Sequence, residues 1–502
     1  MKRSMLLAAC GVLIMVLVAT AGCGGKGKPE AEKKEGTAPQ TVQTQGGRFG
    51  LDQIPEIRNK QPITMVLETG EGYSKMLPAI EKFTAKTGVK VNVERVASSG
   101  VYAKENVELK AGTGYYDLVY VETSWTTEWS DYLYKLNELA DKYDPGGRQA
   151  LQKELENMAP SILACGQAYG EQMVLPFYTF DMCMWVRQDV YDDPTEQANF
   201  KQKYGYDLKP PTNEKELRDQ AEFFTRKKGE LLKGKPLDHD VFGVSMQAGA
   251  YQCNDETTAR LWAMGQDWVT VVRDEAGKVK EFVITKQNKE ALKKALSDYK
   301  ELLKYDAPSA TTANFDFVVA QLGNGNAIIV PTIWANCTVW ADSVLKTKVP
   351  EGRIGVYPSP GGRPYTGAWS YGVAKASKNP EAAYWLLRYL TSYECGRVIF
   401  KEGGMIPARI DVLSDVLKEE PRYPYGMLAE YHINIWKQMA PYIRNYFYFN
   451  TKAGGKVYDM QIYAVAKALT GEKSIDETVD YITQQTLDLV SKFDTVPIRE
   501  EK

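Results

Sequence analysis

The chain has 502 residues, of which 44% are hydrophobic and 25% are charged, a composition typical of folded globular proteins. This length excludes one small domain, and a single long apolar run excludes a protein with many membrane spans. The 62 basic and 64 acidic side chains leave no basic excess for nucleic-acid binding, and only two histidines are available for metal or general-base chemistry.

The N-terminus has the pattern of an export signal. Lys2 and Arg3 precede an apolar stretch over residues 5–22, which ends in small residues directly before Cys23. This ending resembles the bacterial lipoprotein box, which implies a signal peptide over 1–22 and a lipidated Cys23. The stretch is also long enough to be an uncleaved membrane anchor, which is the alternative. Residues 23–60 are expected to include a flexible tether, because residues 24–48 contain almost no large apolar side chains.

The first folded elements form a predicted β-α-β unit. A short apolar strand over 63–67 is followed by helical spacing of Met76, Ile80 and Phe83, and Gly88 ends that helix. Valines then alternate over residues 89–93, as in a strand. This order predicts parallel pairing through a right-handed crossover, and another strand follows over 118–121.

Later segments repeat this α/β character. Residues 327–330 predict a buried strand, and residues 369–374 predict another. Asn379, Pro380 and Glu381 form a strong helix start, because they supply a cap, a fixed φ and an acid at the positive end of the helix dipole. The tail over 458–493 is predicted to be helical with a break at Gly471.

No motif for an enzyme, a cofactor or a metal occurs in a credible context. The chain has no GxSxG, HExxH or CxxC motif and no acidic calcium loop, so neither a cofactor nor a metal is expected. The five cysteines beyond Cys23 are expected to be buried thiols: Cys165, Cys183, Cys253, Cys337 and Cys395. A sugar hydrolase stays open as an alternative, since it needs only two carboxyl groups about 5–10 Å apart.

Four segments resemble the extracellular solute-binding proteins of ABC transporters, in the group that contains the maltose-type sugar binders. They are YDLVYVETSWTTEWSDYLYKLNELADKY from residue 116, LPFYTFDMCMWVRQDVYDD from residue 175, NAIIVPTIWA from residue 326, and GAWSYGVAKASKNPEAAYWLLRYLTSYECG from residue 367. The segment GGMIPAR follows from residue 403.

The resemblance implies an α/β fold of the type II periplasmic-binding-protein kind, with two lobes, a hinge and a cleft between the lobes. Lobe 1 is expected over 61–175 plus 368–408, and lobe 2 over 176–367 plus 409–502. Pro176 and the run near Gly367 are the expected hinge segments.

Candidate ligand contacts are residues that follow strands or lie beside the hinge, because ligands bind beyond the carboxyl ends of strands in α/β sheets. A sugar presents apolar C–H faces and a rim of hydroxyls, which suit flat aromatic rings edged by carboxylates or amides. The candidates are Glu68, Thr69, Glu122, Trp125, Tyr178, Asp181, Gln247, Tyr251, Trp334, Trp369 and Tyr371.

The resemblance therefore implies a lipid-anchored, extracytoplasmic solute-binding protein of an ABC importer that takes a carbohydrate, with an oligosaccharide favoured. The implied partners are the sugar and the permease subunits; we expect a monomer, no nucleic acid and no catalysis. Alternatives are a non-sugar ligand, such as a polyamine, an organic anion or a peptide, and a sensory receptor that reports to a membrane kinase.

Replacing the proposed lipidation site tests the anchor. Cys23→Ser is expected to release the protein from membranes, because no thiol remains to carry the lipid. Fractionation of cells followed by detection of the protein measures this. Retention of the variant in the membrane fraction would instead support the uncleaved anchor.

Overall fold

Caps and turn glycines set several element boundaries as the sequence predicts. The side chain of Asn379 accepts the N–H of Ala382 at 3.3 Å and begins the helix Pro380–Leu390. Gly88, with φ of 70°, ends the helix Leu77–Thr87 in the left-handed region. Gly471, with φ of 81°, ends the helix Gly454–Thr470 in the same way. The predicted helix start at 379–381 and the predicted break at Gly471 are both confirmed.

The computed structural model describes residues 48–250, 252–422 and 424–502. The strands are β1 Ile63–Glu68, β2 Val91–Val96, β3 Leu118–Glu122, β4 Gln167–Ala168, β5 Glu171–Gln172, β6 Val174–Thr179, β7 Met182–Arg187, β8 Leu231–Leu232, β9 Lys235–Pro236, β10 Phe242–Val244, β11 Thr270–Arg273, β12 Val279–Ile284, β13 Ala327–Trp334, β14 Ile354–Tyr357, β15 Ala368–Val373 and β16 Ile498–Glu500.

The helices are α1 Glu71–Ser74, α2 Leu77–Thr87, α3 Ser98–Ala111, α4 Thr126–Trp129, α5 Leu136–Tyr143, α6 Gly147–Leu155, α7 Pro160–Cys165, α8 Gln188–Tyr191, α9 Pro194–Tyr204, α10 Glu214–Phe224, α11 Cys253–Ala263, α12 Lys286–Leu302, α13 Phe315–Gly323, α14 Thr338–Lys348, α15 Pro380–Leu390, α16 Tyr393–Lys401, α17 Ile410–Glu419, α18 Tyr425–Met439, α19 Gly454–Thr470 and α20 Ile475–Phe493. Within the residues that the structure describes, none of these helices has both the length and the apolar character needed to cross a bilayer.

The larger sheet has the strand order β2-β1-β3-β15-β6. Strand β1 pairs in parallel with β2 and β3, while β15 runs antiparallel to both β3 and β6. The predicted parallel β-α-β unit is confirmed, although β2 begins at Val91 rather than at Val89. The sheet and the helices packed on it are called lobe 1.

The second sheet has the strand order β10-β13-β7-β14. Strand β13 is parallel to β10 and antiparallel to β7, which also pairs antiparallel with β14. The buried strand predicted over 327–330 continues to Trp334, through Pro331 at a register shift. This sheet and its surrounding helices are called lobe 2. In a third, smaller sheet, the C-terminal strand β16 pairs with β12, which also pairs with β11.

Two apolar cores lie in the described part of the chain, one on each of the larger sheets. The first core already includes Phe49, Ile54 and Ile57, which are all buried. Packing therefore already includes Phe49, so the tether expected over residues 23–60 is too long at its C-terminal end. The remaining lobe boundaries stay a prediction.

Three segments connect the two cores, and backbone hydrogen bonds join the first of them to the other two. The first joins β6 to β7 through Phe180 and Asp181, the second is residues 358–367, and the third is residues 402–409. Backbone hydrogen bonds run from the Thr179 N–H to the Ile406 carbonyl at 2.7 Å and from the Phe180 N–H to the Gly367 carbonyl at 3.1 Å. These bonds hold the ends of the two sheets together.

Candidate functional site

The site lies where the two sheets meet beside the crossing segments. Glu68 and Glu122 end the parallel strands β1 and β3, so they lie at the same edge of the lobe 1 sheet. Trp369 pairs with Glu122 at the start of the antiparallel strand β15. Trp334 ends β13 and pairs with Met182 at the start of β7. The sheet register therefore brings candidates from both lobes to one junction.

An aromatic surface covers the lobe 1 side of this junction. The rings of Trp369 and Tyr120 stack with centroids 4.5 Å apart and an angle of 9° between their planes. Trp125 meets Trp369 edge to face at 5.3 Å, and both tryptophans are partly exposed. We call Trp125, Trp369 and the underlying Tyr120 the aromatic platform. Because Tyr120 is buried, it supports the platform from below.

Glu122 lies at the edge of the aromatic platform. Its Oε2 accepts the backbone N–H of Ser124 at 2.8 Å and also contacts the Ser124 hydroxyl. Burial raises the pKa of Glu122 to about 7, although the hydrogen bonds from Ser124 oppose that shift. The carboxyl group is therefore poised between its neutral and charged forms near neutral pH.

A second set of polar side chains on lobe 1 contains Glu68. The Tyr120 hydroxyl lies 3.4 Å from Glu68 Oε2, and burial raises the pKa of Glu68. The hydroxyls of Tyr73 and Tyr178 are 2.8 Å apart, and Tyr178 is almost fully buried. Thr69 is exposed just beyond β1. Tyr73, which the sequence prediction missed, is thus the partly exposed tyrosine of this pair.

Tyr371 lies deeper in the sheet than Trp369. It is fully buried, and its hydroxyl donates to the Val66 carbonyl at 2.9 Å. Alternation places the two side chains on one face of β15, but Tyr371 is a further register step from the edge. The Tyr371 side chain is therefore placed to pack beneath the aromatic platform. Its role as a ligand contact stays a prediction.

Lobe 2 contributes a second group of rings. The partly exposed Trp334 meets Phe180 at 5.5 Å and Tyr365 at 5.9 Å, both edge to face. Phe180 packs over Gly367 so closely that a Cβ there would lie 2.4 Å from the ring. Phe180 and Tyr365 were missed by the sequence prediction, because they lie in crossing segments without helical or strand periodicity.

A third carboxyl group approaches from α11. Asp255 is buried and accepts the Tyr458 hydroxyl at 2.7 Å. Burial raises the pKa of Asp255 well above its usual range, and the negative charge of Glu122 adds to this shift. Asp255 therefore adds a buried carboxyl group from lobe 2 to those of Glu68 and Glu122 on lobe 1.

The remaining candidates differ in their placement. Gln247 is fully buried; its N–H donates to Glu256 at 2.7 Å and its side-chain amide donates to the Thr332 carbonyl at 3.2 Å. Asp181 is buried in the first crossing segment, where its carboxylate accepts the indole N–H of Trp436 at 2.8 Å. Tyr251 and Cys23 lie outside the described residues. The ligand roles of Gln247, Asp181 and Tyr251 and the lipidation of Cys23 stay predictions.

Two further features bear on what the junction can bind. A surface depression of about 720 Å³ lies along β14, lined by residues that include Lys346, Arg353 and Met427, and it contains none of the candidate contacts. In the described part of the chain, no group of three or more His, Cys, Asp or Glu side chains is arranged to hold a metal ion.

Comparisons with known proteins agree with this geometry. A family model described as bacterial extracellular solute-binding protein matches residues 67–394. No curated protein sequence shows a significant match to the chain.

Several solved structures share the fold. The maltose-bound MalE3 of T. maritima is 20% identical with a TM-score of 0.60, covering 85% of this chain and 98% of that one. An ABC transporter solute-binding protein from Agrobacterium radiobacter in complex with ribitol is 18% identical with a TM-score of 0.64, covering 87% and 100%. The GacH receptor of Streptomyces glaucescens, solved unliganded and with acarbose, is 15% identical with a TM-score of 0.61, covering 87% and 100%. These matches confirm the predicted two-lobed α/β fold.

Proposed function

Because the chain belongs to the family of bacterial extracellular solute-binding proteins, we propose that it captures a carbohydrate for an ABC importer. The ligand would bind between the lobes and stabilise their closed arrangement, which the permease would recognise. The protein would release its ligand chemically unchanged, since the family consists of binding proteins. Through Cys23 it would be anchored to the outer face of the cell membrane as a monomer.

The observation that carries this proposal is the aromatic platform with Glu122 at its edge. The partly exposed faces of Trp369 and Trp125 suit the C–H face of a sugar ring. A carboxylate at the edge of the rings is placed to accept hydroxyl hydrogens, and charge-assisted hydrogen bonds are the stronger kind. Aromatic and carboxyl groups are thus combined as a polyhydroxylated ligand requires.

The ligands of similar structures support the same class. The similar proteins were solved with maltose, with ribitol and with acarbose, which are a sugar, a sugar alcohol and a sugar analogue. The charge of the junction argues against one alternative, an organic anion. Such a ligand would face the carboxyl group of Glu122, whose charged form is populated above its pKa of about 7 and repels an anion.

A ligand panel tests the proposal directly. A solute that binds only the folded protein raises its melting temperature, by a stabilisation of about 2.7 kcal/mol at 100 times Kd. We expect a shift with a neutral sugar or polyol from a panel of maltose, maltotriose, ribitol and D-mannitol. Glucuronate, spermidine, glutamate and a dipeptide are the comparison ligands.

Two outcomes of this experiment would contradict the proposal. The first is stabilisation by spermidine, glutamate or the dipeptide with none by any sugar. The second is cleavage of a stabilising oligosaccharide, detected by chromatography after long incubation, which would support the hydrolase instead.

Removing a ring from either lobe is expected to weaken binding of the stabilising sugar. Trp369→Ala and Trp334→Ala should each raise Kd about tenfold, which corresponds to about 1.4 kcal/mol and is the size expected for a lost aromatic contact. Titration calorimetry measures this. Trp369→Phe is the matched control, because it keeps a ring on Tyr120 and should lose less affinity than Trp369→Ala. An unchanged Kd in both alanine variants would remove these tryptophans from the site.

The raised pKa of Glu122 leads us to expect that sugar binding depends on pH. Hydroxyl donors favour its charged form, so bound sugar should lower a pKa that burial holds at about 7. Affinity should therefore rise as the pH increases through about 7 and level off where Glu122 is already ionised. Titrations across this range measure the effect in the protein and in Glu122→Gln, whose neutral amide should bind more weakly and lose this rise. The same rise in the variant would contradict the role of Glu122.

A further inference from the structure

Asp181 connects two crossing segments to a helix of lobe 2. It lies between β6 and β7 and is 1% exposed. Its Oδ2 accepts the Thr179 hydroxyl at 3.1 Å and the Trp436 indole N–H at 2.8 Å. Its Oδ1 accepts the Thr366 hydroxyl from the second crossing segment. One carboxyl group therefore holds both segments and α18 together.

His432 faces the same carboxyl group from α18. The imidazole is fully buried, and its Nδ1 lies 2.7 Å from the Leu428 carbonyl. A carbonyl accepts only, so Nδ1 carries the proton and neutral His432 presents the lone pair of Nε2. Nε2 lies 3.6 Å from Asp181 Oδ2 and has no hydrogen-bond partner among the described residues.

This arrangement sets two acceptors opposite each other in a buried place. Without a proton between them, the lone pair of Nε2 lies unpaired beside a carboxylate whose charge is offset only by neutral hydrogen-bond donors, which is costly away from water. A single added proton, on either atom, sets a donor opposite an acceptor and leaves the pair with no net charge. The geometry therefore favours one proton on this pair of side chains.

We propose that Asp181 and His432 share one proton that stabilises the hinge, so that the opening of the lobes is linked to pH. This inference goes beyond the proposed function, because it concerns the unliganded hinge and requires no particular ligand. Loss of the proton leaves a buried charge among the crossing segments. Movement of these segments that admits water would stabilise that charge, so the open arrangement gains population as the pH rises.

The electrostatic surroundings of the pair support this direction. Burial raises the pKa of Asp181 to about 7, opposed by the hydrogen bonds from Trp436 and Thr179. Burial lowers the pKa of His432 to about 4, so the proton resides on Asp181 and is lost near neutral pH.

The other titratable groups that face Asp181 come from three elements: Cys165 of α7, Cys183 of β7 and Tyr431 of α18. Burial raises the pKa of each, so all three are neutral and none compensates the charge. Among the residues described, the only basic side chain within ion-pair distance of Asp181 is His432, which is itself neutral near pH 7.

Small-angle X-ray scattering of the ligand-free protein tests the proposal. The radius of gyration is expected to increase as the pH rises, with a midpoint near the Asp181 pKa of about 7. Asp181→Asn keeps the side-chain shape and is neutral at every pH, so its radius of gyration should not change over this range. A radius of gyration that stays constant in the unaltered protein, or that changes equally in Asp181→Asn, would overturn the proposal.

A matched control distinguishes the effect of Asp181 at the hinge from the titration of a buried carboxyl group elsewhere in the protein. Asp267 is also buried with a pKa raised to about 6, but it binds Trp262, Trp268 and Phe447 within lobe 2. Asp267→Asn should keep the pH-dependent change. The same loss in Asp267→Asn as in Asp181→Asn would overturn the assignment to the hinge.

His432→Gln provides a second test if Asp181→Asn fails to fold. Its amide can donate a hydrogen bond to the Asp181 carboxylate in place of the imidazole lone pair, which favours the charged form. The midpoint of the scattering transition should therefore move to lower pH. An unchanged midpoint in this variant would contradict the shared proton. Because no ligand is added, these outcomes do not depend on whether sugars bind.

Discussion

Backbone hydrogen bonds among three crossing segments are the constraint on which the arrangement of this molecule depends. Thr179 bonds to Ile406, Phe180 bonds to Gly367, and Met182 bonds to Tyr365 at 2.9 Å, all within four residues of the first segment. Since β6 and β7 belong to different sheets, these bonds fix the end of one sheet against the end of the other. The candidate contacts Tyr178, Asp181 and Trp369 lie in or directly beside the residues that these bonds hold.

The chemistry of the junction follows from which strand ends it joins. The carboxyl ends of β1 and β3 supply Glu68 and Glu122, while the end of β13 supplies Trp334. The return strand β15 enters at the same edge and adds Trp369. Rings and carboxyl groups that are far apart in the chain therefore come together at the crossing segments, where a hinge motion would change the space between them.

Local signals in the sequence predict much of the fold and part of the site. Alternating valines, the Asn379 cap and the Gly471 break are short-range patterns whose physical cause lies within a few residues, so the corresponding elements are found near the predicted places. How deeply a strand residue is buried depends, however, on strands that are distant in the sequence. Trp369 and Tyr371 share a face of β15, and only the packing of the neighbouring strands makes one partly exposed and the other buried. Phe180 lacks any periodic pattern that would identify it.

A crystal structure of the protein with its stabilising sugar would decide whether the junction is the binding site. The sugar is expected between the lobes, at the strand ends where the two sheets meet, with a ring face against Trp369 and a hydroxyl within hydrogen-bond distance of Glu122. A sugar bound along β14, in the depression lined by Lys346 and Met427, or at any place away from the crossing segments, would contradict this expectation.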